Sequence, residues 1–382
     1  MIRYIAKFSL SIYNEAITIK SPKGTAEEKI IMAVKMAIIG MGGMAGWHYK
    51  NVSEKVPEIQ IVGAYDIREE AKKNIDELGL KNYASPEEIY ADKEIDLVLI
   101  ATPNDVHKNY AIACLEAGKN VLCEKPVTLN TQELEEVIAV ANKTGKLFTI
   151  HQNRRWDSDY LTVKKILADG ILNDLYRIET KVQGSRQFVH GWRGYKINGG
   201  GMVLDWGIHL LDQLLDLFPD KVKSVHAHFH QIVMPEVEDD FTANLMFESG
   251  VSAIVNVSMS AFIVQPRWQL FAKDGTAKIH NWDVEGEIIK LSNADEMEWA
   301  EDIVYTSAGP TRSMAPRPSS TVENIPLPVV QGDWLDLHRN IVDVLNGKGD
   351  IIVTHEQALR RMKVVDAIFE SAKIGAAVVC DI

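Results

Sequence analysis

A lysine, an aspartate and a histidine stand in two short segments whose side chains are suited to acid–base chemistry. The first segment is Glu124-Lys125-Pro126, directly after a predicted strand over 120–123. The second is Asp205-Trp206-Gly207-Ile208-His209, inside a predicted helix over 202–217. Because Asp205 and His209 are four residues apart, an α-helix would place both side chains on one face. The three groups together are suited to removing the proton of a hydroxyl group.

The residue types suggest a separate role for each of the three side chains in the oxidation of an alcohol. Histidine titrates near neutral pH, so His209 is the expected general base. Lys125 would donate a hydrogen bond to the reacting oxygen and stabilise its negative charge, and it is also the alternative base. Asp205 would bind a neighbouring hydroxyl and adjust the other two groups. The pair Asp205/His209 has two other interpretations, a polar surface pair or two metal ligands. The otherwise apolar helix face disfavours the first, and the lack of a third ligand at a regular spacing predicts no metal site.

A glycine-rich turn precedes these segments, Gly40-Met41-Gly42-Gly43-Met44-Ala45, between a predicted strand and a predicted helix. Gly40 allows the tight turn, and Gly42 lets backbone amides approach a pyrophosphate at the start of the helix. We expect Gly43, Met44 and Ala45 to complete this cofactor contact, the alanine replacing a third glycine by another small residue. An ordinary glycine turn is the alternative, but the strand–turn–helix context favours a dinucleotide.

An acid at the end of the second predicted strand bears on which dinucleotide is bound. Asp66 follows the strand over 59–65, where a carboxylate hydrogen-bonds the adenosine ribose. Since it would repel a 2′-phosphate, NAD is expected rather than NADP, although Arg68 partly offsets this. The alternative role of Asp66 is a helix cap.

The order of apolar and amphipathic segments predicts an α/β protein with two domains. Residues 34–150 alternate strands and helices, which is typical of a Rossmann doubly wound parallel sheet. Beyond residue 175 five predicted strands follow with short connections, which indicates an α+β domain with a large open, mostly antiparallel sheet. Residues 292–331 are expected to be irregular, and two helices near 333–346 and 355–374 end the chain. We therefore assign 32–151 to the cofactor-binding domain and 152–382 to the substrate-binding and oligomerisation domain.

Composition narrows the classes of partner. The chain has 382 residues, a net charge of −12 and a pI near 5.4, which argue against a nucleic-acid or anionic-membrane partner. Its three scattered cysteines suit a reducing compartment, and we expect a cytoplasmic protein. Residues 1–31 precede a second methionine, Met32, and are interpreted as an N-terminal arm or, slightly favoured, a translated leader.

Three further segments give the chain a family resemblance: Ala101-Thr102-Pro103-Asn104-Asp105-Val106-His107, Glu116-Ala117-Gly118-Lys119 and Glu124-Lys125-Pro126. Together they resemble the glucose–fructose oxidoreductase/inositol dehydrogenase (Gfo/Idh/MocA) family. The segment 151–157, His-Gln-Asn-Arg-Arg-Trp-Asp, looks like the branch of scyllo-inositol and related sugar dehydrogenases. This resemblance implies a Rossmann domain, a second domain with an open sheet, and a sugar-sized substrate between them.

The resemblance also implies roles for individual residues. It places Lys125, Asp205 and His209 in the active site and makes the Lys125–Pro126 peptide cis. It places Thr102, Asn104, His107 and Glu124 near the cofactor. The residues expected to contact substrate, besides Asp205 and His209, are Asn153, Arg154, Trp156, Arg193 and Tyr195.

Three histidines alternate along one predicted strand, His226, His228 and His230, so all three should point to one side of the sheet. A metal site is one interpretation of this stripe. The favoured one is a polar stripe on the open sheet, facing another subunit of a homo-oligomer.

The expected function is NAD-dependent oxidation of a secondary hydroxyl of a sugar, glycoside or cyclitol. One alternative is oxidation of a glycoside at a ring carbon with a tightly bound, recycled NAD. Another is a non-catalytic protein of the same fold that senses NAD or a sugar, and a reductase of an imine or linear tetrapyrrole is less favoured. The presence of Lys125, Asp205 and His209 favours catalysis.

Overall fold

The computed structural model of the chain describes residues 33–292, 303–312 and 317–382. The predicted arm or leader, residues 1–31, therefore lies outside the described residues. In the described part, no helix is both long enough and apolar enough to cross a membrane.

The first half of the chain forms the predicted parallel sheet, with six strands in the order β3-β2-β1-β4-β5-β6. Every side chain of β4 is buried, because helices cover both faces of the sheet. This order is that of a doubly wound dinucleotide-binding fold, so the predicted Rossmann sheet is confirmed. The strands are β1 (Val34–Ile39), β2 (Ile59–Tyr65), β3 (Lys81–Asn82), β4 (Leu97–Ile100), β5 (Asn120–Cys123) and β6 (Phe148–Ile150).

Five helices connect these strands: α1 (Gly43–Lys55), α2 (Glu69–Glu77), α3 (Pro86–Ala91), α4 (His107–Glu116) and α5 (Thr131–Thr144). Asn130 caps α5, because its side chain accepts a hydrogen bond from the Glu133 amide. Asn104 does not cap α4, although it precedes that helix. A short 3-10 turn over Asn104–Val106 precedes α4, and the Asn104 side chain instead donates to the Gly199 carbonyl.

The second half forms a nine-stranded sheet in the order β16-β13-β12-β11-β7-β10-β9-β8-β17. Its pairs are antiparallel except β7 with β10, so the predicted open sheet is confirmed. The strands are β7 (Leu175–Gln183), β8 (Val222–His230), β9 (Asp240–Phe247), β10 (Ser252–Ser258), β11 (Trp268–Ala272), β12 (Gly275–Ile279), β13 (Gly286–Leu291), β16 (Val322–Ile325) and β17 (Val378–Val379).

Residues 292–331 are less irregular than expected. Their described part contains β16 at the edge of the large sheet and a small hairpin of β14 (Val304–Thr306) and β15 (Gly309–Thr311). These strands form by backbone pairing. The side chains of β16 are not buried, so this strand has no apolar pattern by which it could be predicted.

Helices of the second half pack on one face of the large sheet and back on the first domain. They are α6 (Ser158–Ala168), α7 (Ile208–Leu217), α8 (Asp336–Leu345) and α9 (His355–Ile374). Helix α9 contacts α7, β8 and α5, so it joins both domains.

A buried ion cluster centred on Asp212 of α7 ties these parts together. Its carboxylate accepts two hydrogen bonds from Arg155, at 2.7 and 2.8 Å, and a third from Arg361 of α9. All three side chains are almost fully buried. The cluster therefore links the segment after β6 to α7 and α9.

A second carboxylate holds the beginning of the helical segment that leads into α7. Glu238 accepts a hydrogen bond from the Val203 amide at 2.9 Å, and its backbone carbonyl accepts from Met202. Gly201 adopts a φ of +100°, and a Cβ there would lie 2.3 Å from the Glu238 carboxylate. Glycine is required at this position by both the backbone angle and the close approach. Burial raises the pKa of Glu238 to about 7.

Replacing Asp212 by alanine should strongly destabilise the protein, because two arginines would remain buried without their carboxylate. We expect Asp212→Ala to lower the free energy of unfolding by about 3–5 kcal/mol, measured by urea denaturation. The matched control is Asp169→Ala, since the Lys165–Asp169 pair is 44% exposed on both sides. That change should cost about 0.5 kcal/mol or less. Equal losses in both variants would contradict the assigned role of the Asp212 cluster.

Glu238 should make stability depend on pH. Because its pKa rises from 4.5 to about 7 on folding, the folded chain binds a proton more tightly than the unfolded chain between these values. Stability therefore falls as pH rises through this window. The variant Glu238→Gln keeps an acceptor for Val203 but cannot ionise. We expect it to exceed the wild type by about 3 kcal/mol at pH 8 and to match it near pH 4 in denaturant unfolding. Parallel pH profiles for the two proteins would rule out this effect.

Candidate active site

The predicted cofactor and catalytic segments meet at one edge of the parallel sheet. The glycine turn follows β1, Thr102 follows β4 and Lys125 follows β5, so all three lie at carboxyl ends of neighbouring strands. Ligands of doubly wound sheets bind at this edge.

The glycine turn has the backbone that a pyrophosphate cradle requires. Gly40 has a φ of +94°, and a Cβ there would lie 2.7 Å from the Ala101 carbonyl oxygen, so glycine is needed. Gly42 immediately precedes α1, and no described atom lies within 4 Å of a Cβ built at Gly43. Ala45 is fully buried against the core, whereas Met44 is exposed. The start of α1 is thus open to a phosphate group, with its amides available.

Asp66 lies beside this turn and is not a helix cap, because the capping position of α2 is Arg68. Its carboxylate accepts a hydrogen bond from the Met41 amide at 2.8 Å and two from the Arg68 guanidinium. Burial would raise the pKa of Asp66, but these bonds outweigh it and lower the pKa. Asp66 is therefore an anion beside the glycine turn, with Arg68 next to it.

Lys125 and Asp205 form an ion pair between the two domains. The Lys125 Nζ donates to the Asp205 carboxylate at 2.9 Å and to its backbone carbonyl at 2.7 Å. Arg193 donates to the same carboxylate at 3.3 Å. Burial would raise the pKa of Asp205, but the two cations lower it overall, so it stays ionised. The Lys125–Pro126 peptide is cis, as the resemblance implies.

The segment that carries Asp205 is not the regular α-helix predicted for 202–217. Residues Val203–Gly207 form a π-helical turn, and α7 begins at Ile208. Gly207 packs so closely on Phe241 that a Cβ would lie 2.6 Å from the ring. The wider turn still keeps Asp205 and His209 on one side, and such turns occur often at functional sites.

His209 is almost fully buried, and Gln152 sets the orientation of its ring. The His209 Nδ1 donates to the Gln152 Oε1 at 3.2 Å, so the Nε2 keeps its lone pair. Burial, then Lys125 and Arg154, lower the pKa of His209 well below its usual value, so the ring is neutral. Gln152 lies inside the segment 151–157 that carries the resemblance, but no role was predicted for it.

Aromatic rings surround Arg154 at the side of this site. Its guanidinium carbon lies 4.4 Å from the ring centre of Trp206, 5.0 Å from Trp282 and 5.1 Å from Trp334. Asp157 accepts a hydrogen bond from the same guanidinium at 3.1 Å. No pattern along the chain pointed to Trp282 or Trp334, which come from distant parts of the sequence.

Three residues predicted to lie near the cofactor have protein partners at this edge of the sheet. The His107 ring is fully buried and bonds the carbonyls of Pro126 and Thr102, so it joins two strand-end loops. The Asn104 amide ties the first domain to Gly199. The Glu124 carboxylate is buried among histidines. These three side chains shape the edge of the sheet, and their contact with a cofactor stays a prediction.

The predicted substrate residues divide in a similar way. Arg154 and Arg193 lie at the site. Tyr195 follows Arg193 closely in the sequence, and its side chain is 53% exposed. Trp156 and Asn153 are buried, so contact of their side chains with a substrate stays a prediction.

The histidine stripe lies on the more exposed face of β8. His226 and His228 have ring centres 4.5 Å apart, and His230 pairs with Asp240. Among the described residues, the only group of three or more possible ligands that converges is a different one, discussed below. The metal interpretation of the stripe thus has no support.

Comparison with known proteins agrees with this geometry. The family model described as the oxidoreductase family with an NAD-binding Rossmann fold matches residues 34–152, and the GFO/IDH/MocA C-terminal domain matches 160–278. The scyllo-inositol 2-dehydrogenase (NADP(+)) of Bacillus subtilis is 28% identical over 89% of this chain and 94% of its own length. The scyllo-inositol 2-dehydrogenase (NAD(+)) of the same organism is 28% identical over 60% of this chain and 68% of its own.

A crystal structure of an NAD-binding protein from Listeria innocua has the same fold, with a TM-score of 0.88 and 38% identity. The structural match covers 91% of this chain and 100% of the Listeria innocua chain. The two matched domains together span more than half of the sequence. The chain is therefore an NAD(P)-binding oxidoreductase of the Gfo/Idh/MocA family.

Proposed function

We propose that this oxidoreductase is an NAD-dependent dehydrogenase that oxidises a secondary hydroxyl of a sugar, glycoside or cyclitol. The observation that carries the proposal is the Lys125–Asp205 pair, with a neutral His209 on the same helical segment, at the cofactor edge of the sheet. The bound dinucleotide would supply the hydride acceptor.

The side chains are arranged to handle the hydroxyl proton. An ammonium group has three N–H donors, and Lys125 uses two of them on Asp205, which leaves one for the substrate oxygen. The His209 Nε2 has the lone pair that accepts the proton. Lys125 then stabilises the negative charge that develops on that oxygen.

The lining of the site suits a polyhydroxylated ring. Trp206 and Trp282 offer flat apolar surfaces, and Arg154 and Asp205 offer a donor and an acceptor for hydroxyl groups. Inositol dehydrogenases among the relatives support this substrate class. We also propose a cytoplasmic homo-oligomer that forms through the open sheet, because its polar outer face suits another subunit.

The first test is reduction of added NAD by the purified full chain with a panel of inositols, sugars and glycosides, followed by absorbance of the reduced cofactor. We expect steady turnover with one class. The variant Lys125→Met should lose roughly 10²–10⁴-fold in kcat while binding NAD normally, measured by calorimetry. The variant Lys81→Met, which removes a surface lysine of β3, is the control.

Other results of the NAD-reduction assay would support a different function. One change in absorbance per subunit without added NAD would indicate a retained cofactor and the glycoside-oxidising alternative. Binding of a sugar without any cofactor reduction would favour the sensor and overturn the proposal. Normal turnover of Lys125→Met would remove the lysine from the mechanism.

Cofactor preference provides a separate prediction. Replacing Asp66 by serine removes the anion that would repel a 2′-phosphate and frees Arg68 to bind it. We expect Asp66→Ser to shift the ratio of kcat/KM for NAD over NADP by about 10–100-fold toward NADP, the value of one charged hydrogen bond. The surface variant Asp169→Ser should leave the ratio unchanged. An unchanged ratio in Asp66→Ser would mean that Asp66 only anchors Met41 and Arg68.

A further inference from the structure

Three histidines converge in a buried cluster on the core side of Glu124. His48 belongs to α1, His151 follows β6 and His338 belongs to α8, and each ring is at most 1% exposed. One nitrogen from each ring lies within 4.8 Å of the others. This histidine cluster takes no part in the proposed reaction.

The carboxylate of Glu124 determines which nitrogens of two rings are free. Its Oε1 lies 2.8 Å from the His48 Nε2 and 2.9 Å from the His151 Nδ1. Burial would raise the pKa of Glu124, but the histidines lower it well below the usual range, so the carboxylate only accepts. The ring protons therefore sit on these two nitrogens. The His48 Nδ1 and the His151 Nε2 keep their lone pairs.

The third ring adds another nitrogen at a suitable distance. The His338 Nε2 lies 3.0 Å from the His48 Nδ1. Two nitrogens that bind one ion, each at about 2.0–2.1 Å, lie roughly 2.9–3.4 Å apart. Among the described residues, the His151 Nε2 is buried without a hydrogen-bond partner, and the proposed ion would bind it. Buried polar atoms are rarely left in this state.

The charges of the cluster also suit a cation. Burial lowers the pKa of His48 to about 4 and that of His338 well below its usual value, so both rings are neutral, which is the form that binds metals. Glu124 is a buried anion, and the side chains that contact it are imidazoles. The neighbouring Lys125 side chain pairs with Asp205 instead of with Glu124. A buried charge is costly without a counter-charge.

We propose that His48, His151 and His338 bind one divalent transition metal ion of the zinc class. Three imidazole ligands suit zinc, cobalt, nickel or copper rather than magnesium or calcium. Glu124 orients two of the ligands, as carboxylates commonly do behind metal-bound histidines. The ion replaces the His338–His48 hydrogen bond, and the His338 proton moves to Nδ1. It joins α1, the end of β6 and α8, so its role is structural.

The test measures metal binding and stability of the full chain, without any activity readout. The protein is treated with a chelator, dialysed and reloaded with Zn²⁺ or Co²⁺, and the bound metal is counted by mass spectrometry. We expect one ion per chain, a visible Co²⁺ absorption band typical of nitrogen ligands, and a higher Tm that rises with free metal. These measurements on the wild type do not depend on whether a variant folds.

Two sets of variants locate the ion. The changes His151→Gln and His338→Gln should reduce bound metal to background and abolish the metal-dependent rise in Tm. The double variant His226→Gln/His228→Gln, which removes one half-buried and one exposed histidine from β8, should retain one ion. Loss of metal only in the β8 variant would show surface binding and overturn the proposal.

A wild type that binds no metal after reloading would also overturn it. Because no turnover is measured, such a failure is distinct from a failure of the proposed dehydrogenase activity.

Discussion

The contact between Lys125 and Asp205 is the constraint on which the arrangement of the two domains depends. Lys125 is placed by the end of β5, whereas Asp205 belongs to the helical segment that introduces the second domain. The lysine donates hydrogen bonds to both the carboxylate and the backbone carbonyl of Asp205. These two bonds set the position and the direction of the helical segment relative to the parallel sheet. A site between two domains needs such a contact, because neither sheet alone brings the groups together.

The surroundings of this contact hold the Asp205 segment in an uncommon conformation. Glu238 bonds its first amide, Gly207 packs against Phe241, and Asp212 anchors the following helix through two buried arginines. A π-helical turn is less favourable than a regular helix, so it persists where surrounding contacts define it on several sides. As a result, Asp205 faces Lys125, and His209 is buried beside Gln152.

What could be predicted from the sequence was mainly what is local in the chain. Five strands of the parallel sheet and the glycine turn depend on short apolar runs and on backbone freedom at Gly40, so they were found. The two-residue edge strand β3 has no apolar run and was missed. Strands β7 and β16 were missed because their side chains alternate weakly between buried and exposed positions. Gln152, Trp282 and the histidine cluster were missed because tertiary packing, rather than spacing along the chain, brings them together. The same holds for Asn104, whose partner lies 95 residues away.

Adjacent positions of the segment Glu124-Lys125 face opposite surroundings, since successive side chains of an extended chain point to opposite sides. Lys125 faces the cleft, where Arg193 and the lysine itself surround Asp205 with positive charge. Glu124 faces the core, where the imidazoles of His48 and His151 surround its charge. The two carboxylates close to this lysine therefore have different effects. Asp205 holds the lysine side chain in the cleft, and Glu124 holds the backbone from which that lysine projects. A change at Glu124 thus acts on the position of the lysine through the fold, whereas a change at Asp205 acts on it directly.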